Sequence, residues 1–250
     1  MKERTGFIAI LDALGAASYS SEEIAQFLES RQIVLDLLGL KAEAVFGPVE
    51  AGRLSTFTFN DSVVIAYEVG SLPSLDDIGA FGSLLRHFEV KSLANGILFR
   101  GALAIGMFHS DNEKNTIMGK AVTDAAAWYD KADWIGIAAT PHASLLIRSR
   151  QGAKDIENVL IDYPVPMKDK TVLSLRAVNW PKGFYVKGLR PQDDGEDPKC
   201  KCLEFLSRSG IPRGTEGKYF NTVAFFDHCI QHYQDQRKRK SKPAHETVVR

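Results

Sequence analysis

Several things are scarce or missing in this sequence, and each shortage removes a class of function. There are only three cysteines, Cys200, Cys202 and Cys229. A Cys-x-Cys pair with one distant partner lacks zinc-ligand spacing and is too sparse for a disulfide framework. The thiols are expected to be reduced. Net charge is also missing, because 31 bases cancel 31 acids. No global field therefore draws the chain to nucleic acid or to an anionic membrane. No apolar run reaches the roughly 18 residues that span a bilayer. The start "MKERTGFIAILDALG" is broken by Asp12 soon after its apolar stretch, so a signal peptide is not expected and a cytoplasmic protein is. There is no internal repeat, no Gly-Lys-Thr phosphate loop and no nucleophile elbow.

What remains is an ordinary globular composition, 44% hydrophobic and 25% charged, enough for a normal core. "TGFIAIL" reads as a buried strand ending at Asp12. Ser20 or Ser21 starts a helix with Glu22 and Glu23 in its first turn, and Gly47-Pro48 ends it. Its apolar face is Ile24, Phe27, Leu28, Val34, Leu35 and Leu38. Leu54 to Phe59 and Val63 to Tyr67 flank Asn60-Asp61-Ser62 as a hairpin. Ser74 with Asp77 opens a second helix, stopped by Asn95-Gly96. "ILFRGALAIGMF" is the next strand, and its glycines imply close backbone approach. A helix over 119–132, a strand over 134–140, a short helix over 141–147, strands in "NVLIDY" and "TVLSLRAVNW", and helices over 199–207 and 219–234 follow. The order β-α-β-β-α-β predicts an α+β, ferredoxin-like domain with C-terminal helical additions. The boundaries expected are 1–190 for this domain, 191–235 for a helical extension packed on it, and 236–250 for a basic, flexible tail.

In that order Asp12 and Asp61 come to the same edge of neighbouring central strands. Two carboxylates placed so repel unless a cation lies between them, and Mg²⁺ or Mn²⁺ prefers such oxygens while leaving positions for water and phosphate. Two metals there would clamp both oxygens of a phosphoryl transfer. The competing reading is that either Asp merely caps a turn.

"FIAILDALG", "FNDSVVIA", "FRGALAIGMF", "MGKAVTDAAAWYDKADWIGIAAT" and Val178-Asn179-Trp180-Pro181 resemble, in order and spacing, the motifs of class III nucleotide cyclases. They are most similar to those of the bacterial Pycsar anti-phage pyrimidine cyclases. The resemblance spans about residues 5 to 182 and implies a metal-dependent lyase. Such an enzyme would convert UTP or CTP, UTP being the slightly favoured of the two alternatives, to a 3′,5′-cyclic monophosphate and diphosphate, a second messenger read by a separate effector. It also implies a homodimer with composite sites and no nucleic-acid or membrane partner. Asp12, Asp61 and the Ala13 carbonyl would hold Mn²⁺ or Mg²⁺, two per site. Backbone N–H groups at Gly15 and Ala16 would meet the triphosphate at a helix start.

The departures matter as much. Purine cyclases carry Lys or Glu where this chain has Phe57, and Asp, Cys or a similar polar residue where it has Thr116. Phe57 could stack on a smaller base, or be strand core; Thr116 could donate or accept, or be a loop residue. The usual Asn and Arg of the following helix fall on Thr123 and Ala127, as the Pycsar-like subgroup also lacks that pair. Arg100 is the candidate to offset phosphate charge, with a structural ion pair as the other possibility. Asp124 would orient Arg100 or cap locally, and Lys182 would reach the triphosphate or sit in solvent. The alternatives to a pyrimidine cyclase are a catalytically silent nucleotide-binding module and an adenylate or guanylate cyclase.

Overall fold

Alternating side chains along "FIAIL" need two faces to bury, and the fold supplies both. The structure, a computed structural model, describes residues 2–16, 19–153, 156–186, 196–208 and 210–241. Strand β1 (Lys2–Ala13) sends Phe7, Ala9 and Leu11 into the main core, and Ile8 and Ile10 into a smaller cluster on the opposite face. Helix α1 (Ser21–Phe46) begins with the reciprocal Ser20/Glu23 capping box, and α2 (Pro48–Ala51) follows Gly47. Strands β2 (Leu54–Phe59) and β3 (Ser62–Glu68) form the hairpin, with Asn60 in the left-handed region at its tip (φ 52°). Helix α3 (Leu75–Ala94) carries the Ser74/Asp77 box and stops at Asn95.

Strand β4 (Phe99–Asp111) then pairs antiparallel with β1, and β5 (Thr116–Met118) folds back on its far end. Helix α4 (Lys120–Trp128), strand β6 (Gly136–Ala139), helix α5 (Pro141–Arg148), strands β7 (Leu160–Pro166) and β8 (Val172–Val178), and helices α6 (Lys182–Tyr185), α7 (Pro198–Ser207) and α8 (Glu216–Ser241) complete the chain. The sheet order is β2-β3-β1-β4-β6-β8-β7, with β5 off β4. Its β2-β3-β1-β4 part is the ferredoxin-like order expected, in an α+β domain with C-terminal helical additions. Helices α1 and α3 pack on one face, and α4 covers the other through Ala121 and Ala125. The sheet is therefore covered by helices on both faces.

Other differences are local. Ile24 and Leu28 are each 44% exposed, because α1 packs through Phe27, Val34, Leu38 and Ala42 instead. The helix expected over 119–132 ends at Trp128. Helix α8 runs through Ser241, past the expected start of the tail; residues 242–250 lie outside the described residues, as does most of the polar segment before α7. No helix among the described residues is long and apolar enough to cross a membrane.

Gly101 is one glycine the sheet cannot replace. A Cβ there would collide with the Ile10 carbonyl oxygen and the Leu11 side chain. Gly101→Ala is expected to cost about 1–3 kcal/mol in chemical denaturation.

Glu89 on α3 is fully buried, with no partner for either carboxylate oxygen among the described residues. Burial pushes its carboxyl well above the usual range. The folded protein thus binds this proton more tightly than the unfolded chain, so Glu89's contribution is fully present below the unfolded carboxylate range and is lost as pH rises. His87 acts oppositely, because burial depresses it to about 4, and its contribution is lost as pH falls toward that value. The difference in stability between Glu89→Gln and the parent should therefore grow in favour of the variant as pH rises above about 4.5, which denaturation at a series of pH values would check.

Candidate active site at the β1–β4 edge

The register places the carboxylates. Asp12 faces Ser62 across β1 and β3, and faces Arg100 across β1 and β4. The Ala13 N–H donates to the Asp61 carbonyl at 3.2 Å, so the strand end and the hairpin tip are joined by backbone. Asp12 follows Ile8 and Ile10 onto the α4 face of the sheet. There its Oδ2 accepts from Arg100 Nη2 at 2.9 Å and Nε at 3.3 Å, while Ser62 Oγ donates to Oδ1 at 3.5 Å. Both side chains are mostly buried, 18% exposed for Asp12 and 13% for Arg100. Arg100 is thus an ion-pair partner of Asp12 in this structure, the alternative left open by the sequence.

Asp61 opens on the other side. With Ala16, Tyr19, Ile24, Phe27 and Leu28 it lines a groove of about 450 Å³ between α1 and the hairpin. Arg31 Nη1 donates to the Asn60 carbonyl at 2.5 Å and pins the tip to α1. The Tyr19 hydroxyl is shifted upward by burial and then by the nearby charges of Glu23 and Asp61.

The donors suit a hard divalent cation: two carboxylates and the adjoining Ala13 carbonyl, all oxygen. Asp12 Oδ2 is taken by Arg100, which leaves Oδ1 as the oxygen to offer. Among the described residues no group of three or more His, Cys, Asp or Glu forms a metal cage. The donor set therefore fits a cation shared with water and substrate oxygens, not a closed structural site.

The other expected residues scatter. Gly15 has φ +86°, which favours glycine, but it lies in a turn well before α1. The helix start, capped by Ser20, is not where Gly15 and Ala16 sit, so any contact from them comes from that turn. Phe57 is 1% exposed, packed with Ile8, Ile10, Val64 and Phe108 beneath α4, and is not the wall of an open pocket. Phe57→Ala is expected to cost about 3–5 kcal/mol of stability by denaturation, as for other large aromatic core residues. The Thr116 hydroxyl donates to the Lys114 carbonyl at 2.9 Å on β5. Thr116 pairs with Asp111, at the opposite end of β4 from Arg100. At about 3.3 Å per residue that is roughly 35 Å away. Thr123 and Ala127 are exposed on α4, pointing away from the sheet. Asp124 accepts from Thr140 Oγ1 at 2.6 Å, a local contact at the cap of α5 and not one to Arg100. Lys182 lies in α6, where its N–H donates to the Asn179 side chain at 3.2 Å.

One group escaped sequence reasoning. The β7–β8 turn returns Lys168 to within electrostatic reach of Arg100, with Asp130 at 3.7 Å. Burial, then Arg100, lowers the Lys168 ammonium below its usual range. Only "KDK" in a tight turn hinted at it, and nothing in the spacing said which edge that turn meets.

No protein-family profile matches the chain, and no curated protein matches it. Among solved structures it is similar to the catalytic core of a rhodopsin-guanylyl cyclase with converted specificity, in complex with ATPαS. The identity is 11%, the TM-score is 0.42, and the match covers 71% of this chain and 97% of that one. A likeness this remote adds nothing to the site, which stands on its own geometry: an α+β, ferredoxin-like sheet in which Asp12 pairs with Arg100, the Asp61 backbone joins the end of β1, and the β7–β8 turn brings Lys168 within electrostatic reach of Arg100.

Proposed function

We propose that the protein is a metal-dependent nucleotide cyclase acting on a pyrimidine nucleoside triphosphate, UTP in preference to CTP. The product is the 3′,5′-cyclic monophosphate, with diphosphate leaving, and it serves as a second messenger in anti-phage defence. The observation that carries the reading is the meeting of Asp12 and Asp61 at adjacent strand ends, with the Ala13 N–H bonded to the Asp61 carbonyl and Arg100 beside Asp12. The pyrimidine preference and the biological role rest on the sequence resemblance.

Asp12, Asp61 and the Ala13 carbonyl would hold Mn²⁺ or Mg²⁺. When bound, the cation supplies charge neutralisation and a lowered pKa for the ribose 3′-hydroxyl. Arg100 orients Asp12 and, with Lys168, sets two cations beside the place where charge grows on the phosphate oxygens. Binding polyanionic phosphate between these cations relieves their mutual repulsion.

Thr116 is roughly 35 Å along the strand from Arg100, and Thr123 faces outward. Any part they play in base or ribose contacts requires a second subunit, so the reading includes a homodimer with composite sites. A silent nucleotide-binding module is the second reading, favoured by the Arg100–Asp12 pair, which satisfies both groups without substrate.

Binding of ATP, GTP, CTP and UTP, each with and without Mn²⁺, separates these readings. The cyclase reading expects Mn²⁺ to tighten one pyrimidine triphosphate selectively, and Asp61→Asn to remove that gain. Metal-independent binding, equal for all four, supports the silent module.

A further inference from the structure

The α1–α3 layer, on the face of the sheet away from α4, gathers bases without acids. Lys41 of α1 and Ser83, Arg86 and His87 of α3 line one small cavity, closed by Val90 and by Gly183 of α6. Its volume is about 10 Å³, room for a single water-sized particle. A Cβ on Gly183 would stand 2.5 Å from Val90 Cγ2, so a residue without a side chain lets α6 come down against α3 here. Lys41, Ser83, Arg86 and His87 are all half-buried, and the lining carries no carboxylate.

The hydrogen bonds leave donors over. Arg86 uses two of its five N–H donors, both on neutral acceptors: the Asn158 carbonyl at 3.3 Å and Ser83 Oγ at 3.2 Å. Ser83 Oγ accepts there and keeps its own O–H to donate. Among the described residues neither Lys41 nor Arg86 makes an ion pair. The sequence offers them none nearby. No acid stands three or four residues from Lys41, and the one acid at that spacing from Arg86 is Glu89, whose carboxyl is fully buried and unpartnered. His87 reports the same surroundings. Burial, then Lys91, Lys41 and Arg86, hold its imidazole down at about 4, against a contact to the Leu37 backbone that works the other way. Partly buried guanidiniums elsewhere in the protein are paired, Arg100 with Asp12 and Arg148 with Asp162. Here two half-buried cations face one space, where each loses hydration and repels the other. An anion between them offsets both costs.

We propose that this cavity is a binding site for one monatomic anion, chloride in the cell, held by Lys41, Arg86 and the Ser83 hydroxyl. Its size favours a single atom over phosphate or a carboxylate. The ion ties α1 to α3 beside α6, where the chain leaves the sheet for its C-terminal helices. The site lies across the sheet from the Asp12–Arg100 pair and does not depend on the cyclase reading.

Thermal denaturation of the full chain at constant ionic strength, with sodium chloride replacing sodium gluconate stepwise, tests this. The parent should show a saturable rise in midpoint with chloride, reproduced by bromide. Lys41→Gln is expected to weaken the apparent chloride affinity about tenfold, and Lys41→Arg to restore it. Lys120→Gln, on the α4 side of the sheet, should behave as the parent. In gluconate Lys41→Gln should be at least as stable as the parent, because repulsion is relieved, and in saturating chloride the order should reverse. The His87 imidazole, followed by NMR, should titrate higher in chloride than in gluconate, because the anion offsets Lys41 and Arg86. Equal midpoints in the two salts, with His87 unmoved, would overturn the proposal. Saturable stabilisation by phosphate and not by chloride would overturn the assignment to a monatomic ion.

Discussion

Asp61→Asn is expected to leave the fold and the metal-independent part of triphosphate binding in place and to cut turnover by about 10²–10³-fold, the scale set by removing one preorganised charge-stabilising group. The structural part of Asp61 is its backbone carbonyl, which takes the Ala13 N–H and is untouched by the change. The side chain lines an open groove, so its loss leaves no cavity. Asparagine keeps the shape and removes the charge a hard cation needs. Turnover with saturating Mn²⁺, measured beside the thermal midpoint, checks this. Unchanged turnover in a stable variant would return Asp61 to a turn-capping role.

The second large effect falls on Arg100. Arg100→Ala leaves the Asp12 carboxylate mostly buried without its cation. Breaking a fully buried pair costs about 3–5 kcal/mol, and the residual exposure of both groups here brings the expected loss to about 2–3 kcal/mol. Activity should also fall, because Asp12 loses its orientation and the phosphates lose a cation. Pairing Arg100→Ala with Asp12→Asn separates the two losses. The double variant should recover part of the stability, because no unpaired charge remains, and none of the activity. Additive stability losses would show that the two side chains do not interact as the structure has them.

Much of the architecture was legible because local signals and burial agree. The helix start at Ser20, one of the two serines the sequence offered, the Ser74/Asp77 box, the Asn60 turn and the Asn95 stop each appear where the sequence put them. Those signals are short-range, so no tertiary contact was needed to read them. The meeting of Asp12 with the hairpin followed from strand order alone. Contacts between elements far apart in sequence were not legible. Phe57 reads equally as stacking platform or core, and only the placement of α4 on the second face decides for core. Ile24 and Leu28 fit an apolar helix face by period, yet the rotation of α1 turns them to a groove beside Asp61. Lys168 lies on a surface turn by sequence, and only the return of β7–β8 brings it within electrostatic reach of Arg100. Charge convergence of this kind has no sequence period to betray it.

One incubation addresses the whole reading: the purified protein with ATP, GTP, CTP and UTP in turn, plus Mn²⁺, analysed by mass spectrometry for cyclic monophosphates and diphosphate. A single dominant 3′,5′-cyclic pyrimidine nucleotide, cUMP in preference to cCMP, is the expected result, and it should vanish in Asp61→Asn. Triphosphate bound by the folded protein but returned unchanged in all four reactions would contradict the cyclase and leave a nucleotide-binding module in its place.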